Sequence, residues 1–427
     1  MTLEDIKRLN CIYYSSFRPF VKNPHGLLVC YILFILRCIG YLFFYFKKQE
    51  PIKEILFLAF SINNKKSLRT IIDNLSPKTY TIWKSAKKDI PKGKVFFKSI
   101  KYFPLFQRFY NSSSIEDKRL IRTFYQSFMA TCGYYEVFHE ILKDNPQIKM
   151  IVFANDHTVT NRCMIEVAEK HDIKTLYVQH ASVTEKFPPL HFSYSFLDGL
   201  ESYEKYKAIG DIKGKVFLTG SPRFDELYDY KNINKGYDIG IAINRIDSYD
   251  KVMSLCKYLQ DNVTKSIVVR PHPGMIKHFN TKLFKEQDLE ISDSTQESSF
   301  SFLSKIHFLI ANESSIHLDS ALVGVPSLLY NFSENGNIID WYSYVKMGMI
   351  DVCDSYEDVV KVLNKQHDIP IRQIQYYNAS FQTPIEGNVG KYISEFIKKN
   401  LFASEKESLQ MVSKLMDKTK DYYYIKH

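Results

Sequence analysis

Residues 266–274 read Ser-Ile-Val-Val-Arg-Pro-His-Pro-Gly, and no other stretch limits the fold as strongly. Ile267 to Val269 make a short β-branched, apolar run of the kind buried in a parallel sheet. The strand must stop at the two prolines, because neither has an N–H to give to a ladder. His272 is thereby left at a strand's carboxyl end, the edge of an open α/β sheet where ligands bind. The pattern recurs further on: 307–311 reads as a strand, 312–315 as a turn and 316–323 as a helix. Ser314 and Ser315 then sit at the helix start, beside free N–H groups and the positive end of the helix dipole. A histidine and paired hydroxyls on neighbouring strand ends suit a phosphate clamp.

The rest of the chain repeats the α/β rhythm. Strands are expected at 54–60, 150–154, 175–178 and 216–219, then at 238–243 and 327–330, with helices at 118–143 and 161–171. Alternation of this kind implies parallel βαβ units with helices on both sheet faces. Gly220 to Asp225 reads as a turn, and 230–236 is polar and linker-like. The expected fold class is α/β: two Rossmann-like domains facing across a cleft. The expected division is 1–50, a hydrophobic and basic amino-terminal segment; 51–232, an acceptor domain; 233–384, a nucleotide-donor domain; and 385–427, helices returning to the first domain, with a Lys-rich amphipathic tail. A chain of 427 residues has room for two cores.

Residues 26–46 are almost long enough to cross a bilayer, but Arg37 lies near their middle, where charge is costly. No small-residue cleavage site follows, which argues against a signal peptide. An interfacial helix, with Arg18, Lys22, Lys47 and Lys48 on its flanks, competes with a buried amphipathic helix and with a true span. The net charge of +10 suits an acidic partner, such as an anionic membrane surface, a nucleotide or an acidic glycan. No zinc-ligand pattern or nucleic-acid module is present, so nucleic acid is not an expected partner. Seven unpatterned cysteines argue for reduced thiols and a cytoplasmic compartment.

Several residues could carry chemistry. Asp156, in Phe-Ala-Asn-Asp-His (153–157), could be a general base towards an acceptor hydroxyl or could cap the helix that follows. His180 closes a strand and opens a polar loop with Glu185 and Lys186, so it could orient or deprotonate an acceptor, or be a structural histidine. Arg223 could grip a phosphate or pair with Asp225 or Glu226. Glu313 could meet a ribose or base, or only favour its helix start. Arg270 and Pro273 flank His272 in the cleft. The sequence holds no GxGxxG or GxxxxGK[ST] loop, no Gly-x-Ser-x-Gly elbow and no HExxH motif. No Cys/His cluster or Asp-x-Asp pair suggests a metal, and no cofactor is expected.

Taken together, these residues resemble bacterial glycosyltransferases of the GT-B fold that build surface polysaccharides. The pattern is most like that of sialyltransferases and polysialyltransferases. Asp156 stands at their acidic base position, His272-Pro273 matches their His-Pro motif, and Ser314-Ser315 matches their paired hydroxyls. Gln179-His180, Gly220-Ser-Pro-Arg223 and the His-Pro pair are also similar to capsule Kdo transferases and to CDP-glycerol phosphotransferases of teichoic acid synthesis. The resemblance covers roughly 150–330, and its base motif departs from the family's two acids and a glycine. It implies an inverting, metal-independent transfer from a nucleotide-sugar donor, CMP-activated, to a glycan or lipid-linked glycan. His272, Pro273, Ser314 and Ser315 would hold the donor phosphate, Asp156 or His180 would act as base, and closure about the hinge would exclude water. The enzyme would sit on the inner face of the plasma membrane. The alternatives are a CDP-polyol phosphotransferase and a non-catalytic glycan-assembly protein.

Overall fold

A computed structural model describes residues 1–17, 21, 24–41, 51–230, 235–276, 279–334 and 340–426. The end of the 26–46 segment, its basic flanks Arg18, Lys22, Lys47 and Lys48, and most of the expected linker lie outside the described residues. The chain forms two compact units. The first comprises Met1–Arg223 and Asn388–His427, the second Phe224–Gly387.

The first unit is built on β1 (Ile55–Leu58), β2 (Tyr80–Trp83), β3 (Met150–Phe153), β4 (Lys174–Val178), β5 (His191–Leu197) and β6 (Lys213–Leu218). The second holds β7 (Tyr237–Ile243), β8 (Ile267–Pro271), β9 (Glu290–Ile291), β10 (Ile306–Ala311), β11 (Ser327–Tyr330) and β12 (Asp351–Cys353). The chain then returns to the first unit with β13 (Met416–Lys418) and β14 (Tyr423–Ile425). Among the described residues the sheet orders are β13-β14-β6-β5-β4-β3-β1-β2 and β12-β11-β10-β7-β8-β9. Every neighbouring pair is parallel except the β13–β14 hairpin. β1, β3, β8 and β11 are buried along their whole length, which explains their uninterrupted apolar runs.

The order of the second sheet is that of a Rossmann fold, and its strand order reverses between β7 and β10. In the first sheet the reversal falls between β1 and β3. At such a point successive connections leave in opposite directions and open a crevice beyond the strand ends. Asp156 follows β3, and the 244–247 and 312–315 turns follow β7 and β10.

Several elements differ from the sequence reading. The helix expected at 118–143 is two, Ile115–Thr123 and Tyr125–Asp144, broken at Phe124. The Phe124 ring stacks on Tyr13 at 4.6 Å and meets Phe17, so an amino-terminal contact sets the break. The tail is not only helical. After Glu405–Leu415 it turns into the β13–β14 hairpin, and β14 pairs with β6, closing that edge of the sheet. Phe396, on helix Val389–Phe402, packs its ring on Tyr194, Phe196 and Phe217. The helix at Leu27–Tyr41 has 15 residues, and among the described residues no helix is long and apolar enough to cross a membrane. All seven cysteines are free thiols.

Helices Lys92–Ser99 and Tyr125–Asp144 touch at Gly133, where a Cβ would meet the Val95 carbonyl oxygen and the Ser99 hydroxyl. Because one obstacle is backbone, Gly133→Ala is expected to cost about 1–3 kcal/mol by overpacking. Gly236→Ala, which meets nothing within 4 Å, should be near neutral. Urea unfolding of both variants measures the difference, and equal midpoints would show that the close approach is not needed.

Candidate active site

Each unit carries its own cluster of polar residues at its strand ends. In the second unit the crevice between β7 and β10 is laced by side chains. Asp247 accepts from the Asn244 backbone N–H at 2.6 Å and from the Asn312 amide at 2.7 Å. The Asn244 amide donates across to the Glu313 carbonyl at 2.9 Å, and the Asn312 Oδ1 accepts from the Glu313 N–H. Burial pushes the Asp247 carboxyl up, and these two bonds pull it back. Beneath the turn, buried His317 meets the Asn312 carbonyl at 3.1 Å and the Ser327 hydroxyl at 3.0 Å. A carbonyl only accepts, so His317 carries its proton on Nε2. Burial pushes its pKa down to about 4, leaving it neutral.

His272 stands on the adjoining strand end, exposed, with its backbone N–H tied to the Ile243 carbonyl at 2.9 Å. The Gly274 N–H donates to His272 Nδ1 at 3.0 Å. Nδ1 is thus an acceptor, and a neutral ring must carry its hydrogen on Nε2. Burial and then Arg245 lower the His272 pKa. Arg245, which follows β7, donates to the Gly274 carbonyl at 3.1 Å, and a Cβ at Gly274 would strike its guanidinium. Pro273 is exposed in the turn. Ser315 is the exposed N-cap of helix Ile316–Leu322 and makes no side-chain cap bond. Ser314 accepts weakly from the Ile316 N–H at 3.4 Å. The half-buried Glu313 carboxylate accepts from the Tyr342 N–H at 2.9 Å, and burial raises its pKa.

Arg270 is placed differently from expectation. It is 6% exposed, donates to the Ser292 hydroxyl and the Glu297 carbonyl, and lies over the Phe302 ring. The guanidinium is spent on fixing the segment after β9, not on a cleft.

In the first unit, Asp156 is not the helix cap. Thr158 caps Val159–Lys170, accepting from the Asn161 N–H. Asp156 is fully buried, with Oδ2 accepting from the Tyr206 hydroxyl at 2.7 Å and Oδ1 facing His157 Nδ1 at 3.2 Å. Asn155 Oδ1 accepts from the backbone N–H groups of His157 and Thr158, so its NH2 is the group 3.1 Å from His157 Nε2. His157 accordingly carries its hydrogen on Nδ1 towards Asp156 and a lone pair on Nε2. Its side chain is 22% exposed, whereas that of Asp156 is sealed. The outward group is therefore the histidine, with the carboxylate behind it.

His180 follows β4, its ring 5.9 Å from that of His157. Its Nδ1 is buried and without a hydrogen-bond partner among the described residues. Burial pushes its pKa down to about 4; Asp156 opposes this, and His157 and Arg223 add to it. Arg223 also acts on Asp198, a buried carboxyl after β5. Burial outweighs that cation and raises Asp198 to about 7. Glu185 and Lys186 are exposed; their loop presents Phe187 to His157 instead, at 4.9 Å between rings.

The sequence reading missed His157 as a site group, and it missed Tyr206, Asp198, Asn244, Arg245, Asp247 and Asn312. For two of them a signal existed: Asn244 and Asn312 are each the first residue after an apolar strand run.

No family model matches this sequence, and no curated protein matches it. Solved structures do match. A putative UDP-N-acetylglucosamine 2-epimerase from Listeria monocytogenes aligns at TM-score 0.51 and 12% identity, over 83% of this chain and 98% of that one. The UDP-GlcNAc 2-epimerase from Neisseria meningitidis, bound to UDP-GlcNAc, aligns at 0.50 and 14%, over 81% and 99%. The wall teichoic acid polymerase TagF aligns at 0.48 and 11%, over 90% and 100%. The likeness is one of fold: α/β, with Rossmann-type units of parallel strands, in the GT-B-like class.

Asp198 gives a pH signature. Its folded pKa, about 7 against an ordinary 3.8, means the unfolded chain ionises first as pH rises. The stability it contributes is full below pH 4 and is lost up to pH 7, by about 4 kcal/mol. Asp198→Asn removes this dependence. The stability of the variant relative to wild type should therefore rise between pH 4 and pH 8 in urea titrations. A constant difference would contradict the assignment.

Proposed function

We propose that the protein is an inverting glycosyltransferase that moves a sugar from a nucleotide donor to a hydroxyl of a bacterial surface glycan. The observation that carries this reading is His272. Its Nδ1 is occupied by the Gly274 N–H, so its Nε2–H is the group offered at the strand end, beside Arg245. That is a donor pair for a phosphate oxygen, next to the crevice where this fold takes ligands. Ser314 and Ser315 add hydroxyls on the other side. Stabilising the departing nucleotide phosphate this way supplies the charge compensation that a divalent ion supplies elsewhere. The expected donor is CMP-activated, of the sialic acid or Kdo type.

The base is assigned to His157, with Asp156 as its positioning residue. As the acceptor oxygen attacks the anomeric carbon, the acceptor hydroxyl takes the place of the Asn155 amide at His157 Nε2 and gives its proton there, and the imidazolium is held by the carboxylate at Nδ1. The bond from the anomeric carbon to the donor phosphate oxygen breaks, and the nucleotide leaves with that electron pair. His180, kept neutral by burial, stands with its ring 5.9 Å from that of His157. The acceptor is a lipid-linked glycan at the inner face of the plasma membrane. The alternative is transfer of a polyol phosphate from a CDP donor; phosphorus in the product distinguishes the two.

Thermal shift with CMP, CDP, UDP and GDP tests the donor site. Saturating cognate nucleotide at about 100 Kd should add about 2.7 kcal/mol of stability, and His272→Ala should lose most of it. His157→Gln should retain nucleotide binding while kcat falls about 10²–10⁴-fold. Preference for UDP or GDP would remove the CMP assignment. No response to any nucleotide would sink the transferase reading.

A further inference from the structure

Helix Leu27–Tyr41 has two faces, and the described residues cover only one of them. Cys30, Phe34 and Cys38 recur every fourth residue and are buried, with Phe34 packed on Phe96 and Phe103. On the opposite side Leu28 is 73% exposed, Ile32 50%, Leu36 57% and Ile39 53%. Val29 and, on the neighbouring helix Lys92–Ser99, Phe97 are also exposed. A contiguous row of large aliphatic side chains open to water marks an interaction surface.

Along one flank the same helix borders a pocket of about 530 Å³, lined by Leu33, Arg37, Gly40, Tyr41, Lys87 and Tyr125. Arg37 and Lys87 make no ion pair with any described residue. Lys92 lies close enough to feel both, and its pKa is pushed down to about 8, first by burial and further by these two cations. An anion in the pocket would answer charges that the chain leaves unanswered. The surrounding sequence has the same bias. Residues 1–125 carry 23 Lys and Arg against 8 Asp and Glu, while the rest of the chain carries 34 against 39.

We propose that this face docks on an anionic phospholipid bilayer, the helix lying in the interface plane with a lipid phosphate between Arg37 and Lys87. An apolar stripe flanked by cations and tyrosines is the composition that the headgroup boundary selects. A second copy of the chain would set like charges face to face. Nucleic acid would leave the aliphatic row in water, and an uncharged apolar partner would leave the two cations unanswered. The proposal sharpens the membrane part of the functional reading, but its test uses neither donor nor acceptor, so either can fail alone.

Flotation of the full-length protein with phosphatidylcholine vesicles and with equimolar phosphatidylcholine–phosphatidylglycerol vesicles tests it. The wild type should float with the anionic vesicles and scarcely with the neutral ones. R37A/K87A should weaken anionic binding about thirtyfold, and I32E/L36E should abolish it, both with unchanged thermal melting. The proposal is overturned by equal binding to neutral and anionic vesicles, by absence of wild-type binding, or by I32E/L36E floating like wild type. It is also overturned if the wild type is a dimer that I32E/L36E disperses, since a second copy would then cover the face.

Discussion

The second unit depends on one buried carboxylate, Asp247. The strands on either side, β7 and β10, are paired up to Ala242 and Ala311, but beyond their ends something else must hold the two turns together. Here Asp247 does so, taking one bond from its own turn and one from Asn312 across the gap, while Asn244 bonds Glu313 in return. An uncompensated buried charge costs several kcal/mol, so the carboxylate enforces these bonds. The turn that carries Ser314 is further pinned from below by neutral His317. His272, on the next strand end, offers one defined N–H because the Gly274 N–H occupies its other ring nitrogen.

Two carboxylates of the first unit, one after β3 and one after β5, take opposite roles, and their partners decide which. Asp156 is sealed from solvent but receives a tyrosine hydroxyl and faces an imidazole, so its charge has partners. Asp198 is as deeply buried, and one of its oxygens has no hydrogen-bond partner among the described residues, so burial dominates and it holds its proton towards neutrality. Position at a strand end makes a residue available to a site; it does not make that residue the group that reacts. The same distinction separates Arg270 from Arg245. One is folded under Phe302, and the other stands beside His272.

The sequence spoke most clearly where one strand's composition suffices. The apolar runs at 55–58, 150–153, 267–269 and 308–311 are buried on both sheet faces, so periodicity alone reveals them, and prolines mark where β8 ends. β5, His-Phe-Ser-Tyr-Ser-Phe-Leu, was hidden because its polar alternation after two prolines looks like loop. The terminal hairpin was hidden because a Lys- and Tyr-rich edge needs β6 to exist before it can pair. The residues proposed to clamp a phosphate were legible as a motif. His157 was not, because its role requires knowing that Asp156 is closed off by Tyr206, a residue 50 positions away.

The amino-terminal helix shows why composition could not choose among its three readings. Apolar residues occupy nearly every position, so a hydrophobic stripe cannot be located by counting. At about 100° per residue, residues 30, 34 and 38 fall on one side and 28, 32, 36 and 39 on the other. Only the positions of Phe96 and Phe103 decide which side is inside. Full burial of each exposed aliphatic would be worth about 1.5–3 kcal/mol, so the uncovered face withholds a stabilisation comparable to the whole net stability of an ordinary domain. A face left this open by the described residues, beside two cations with no ion-pair partner among them, is what the proposed docking on a bilayer would complete.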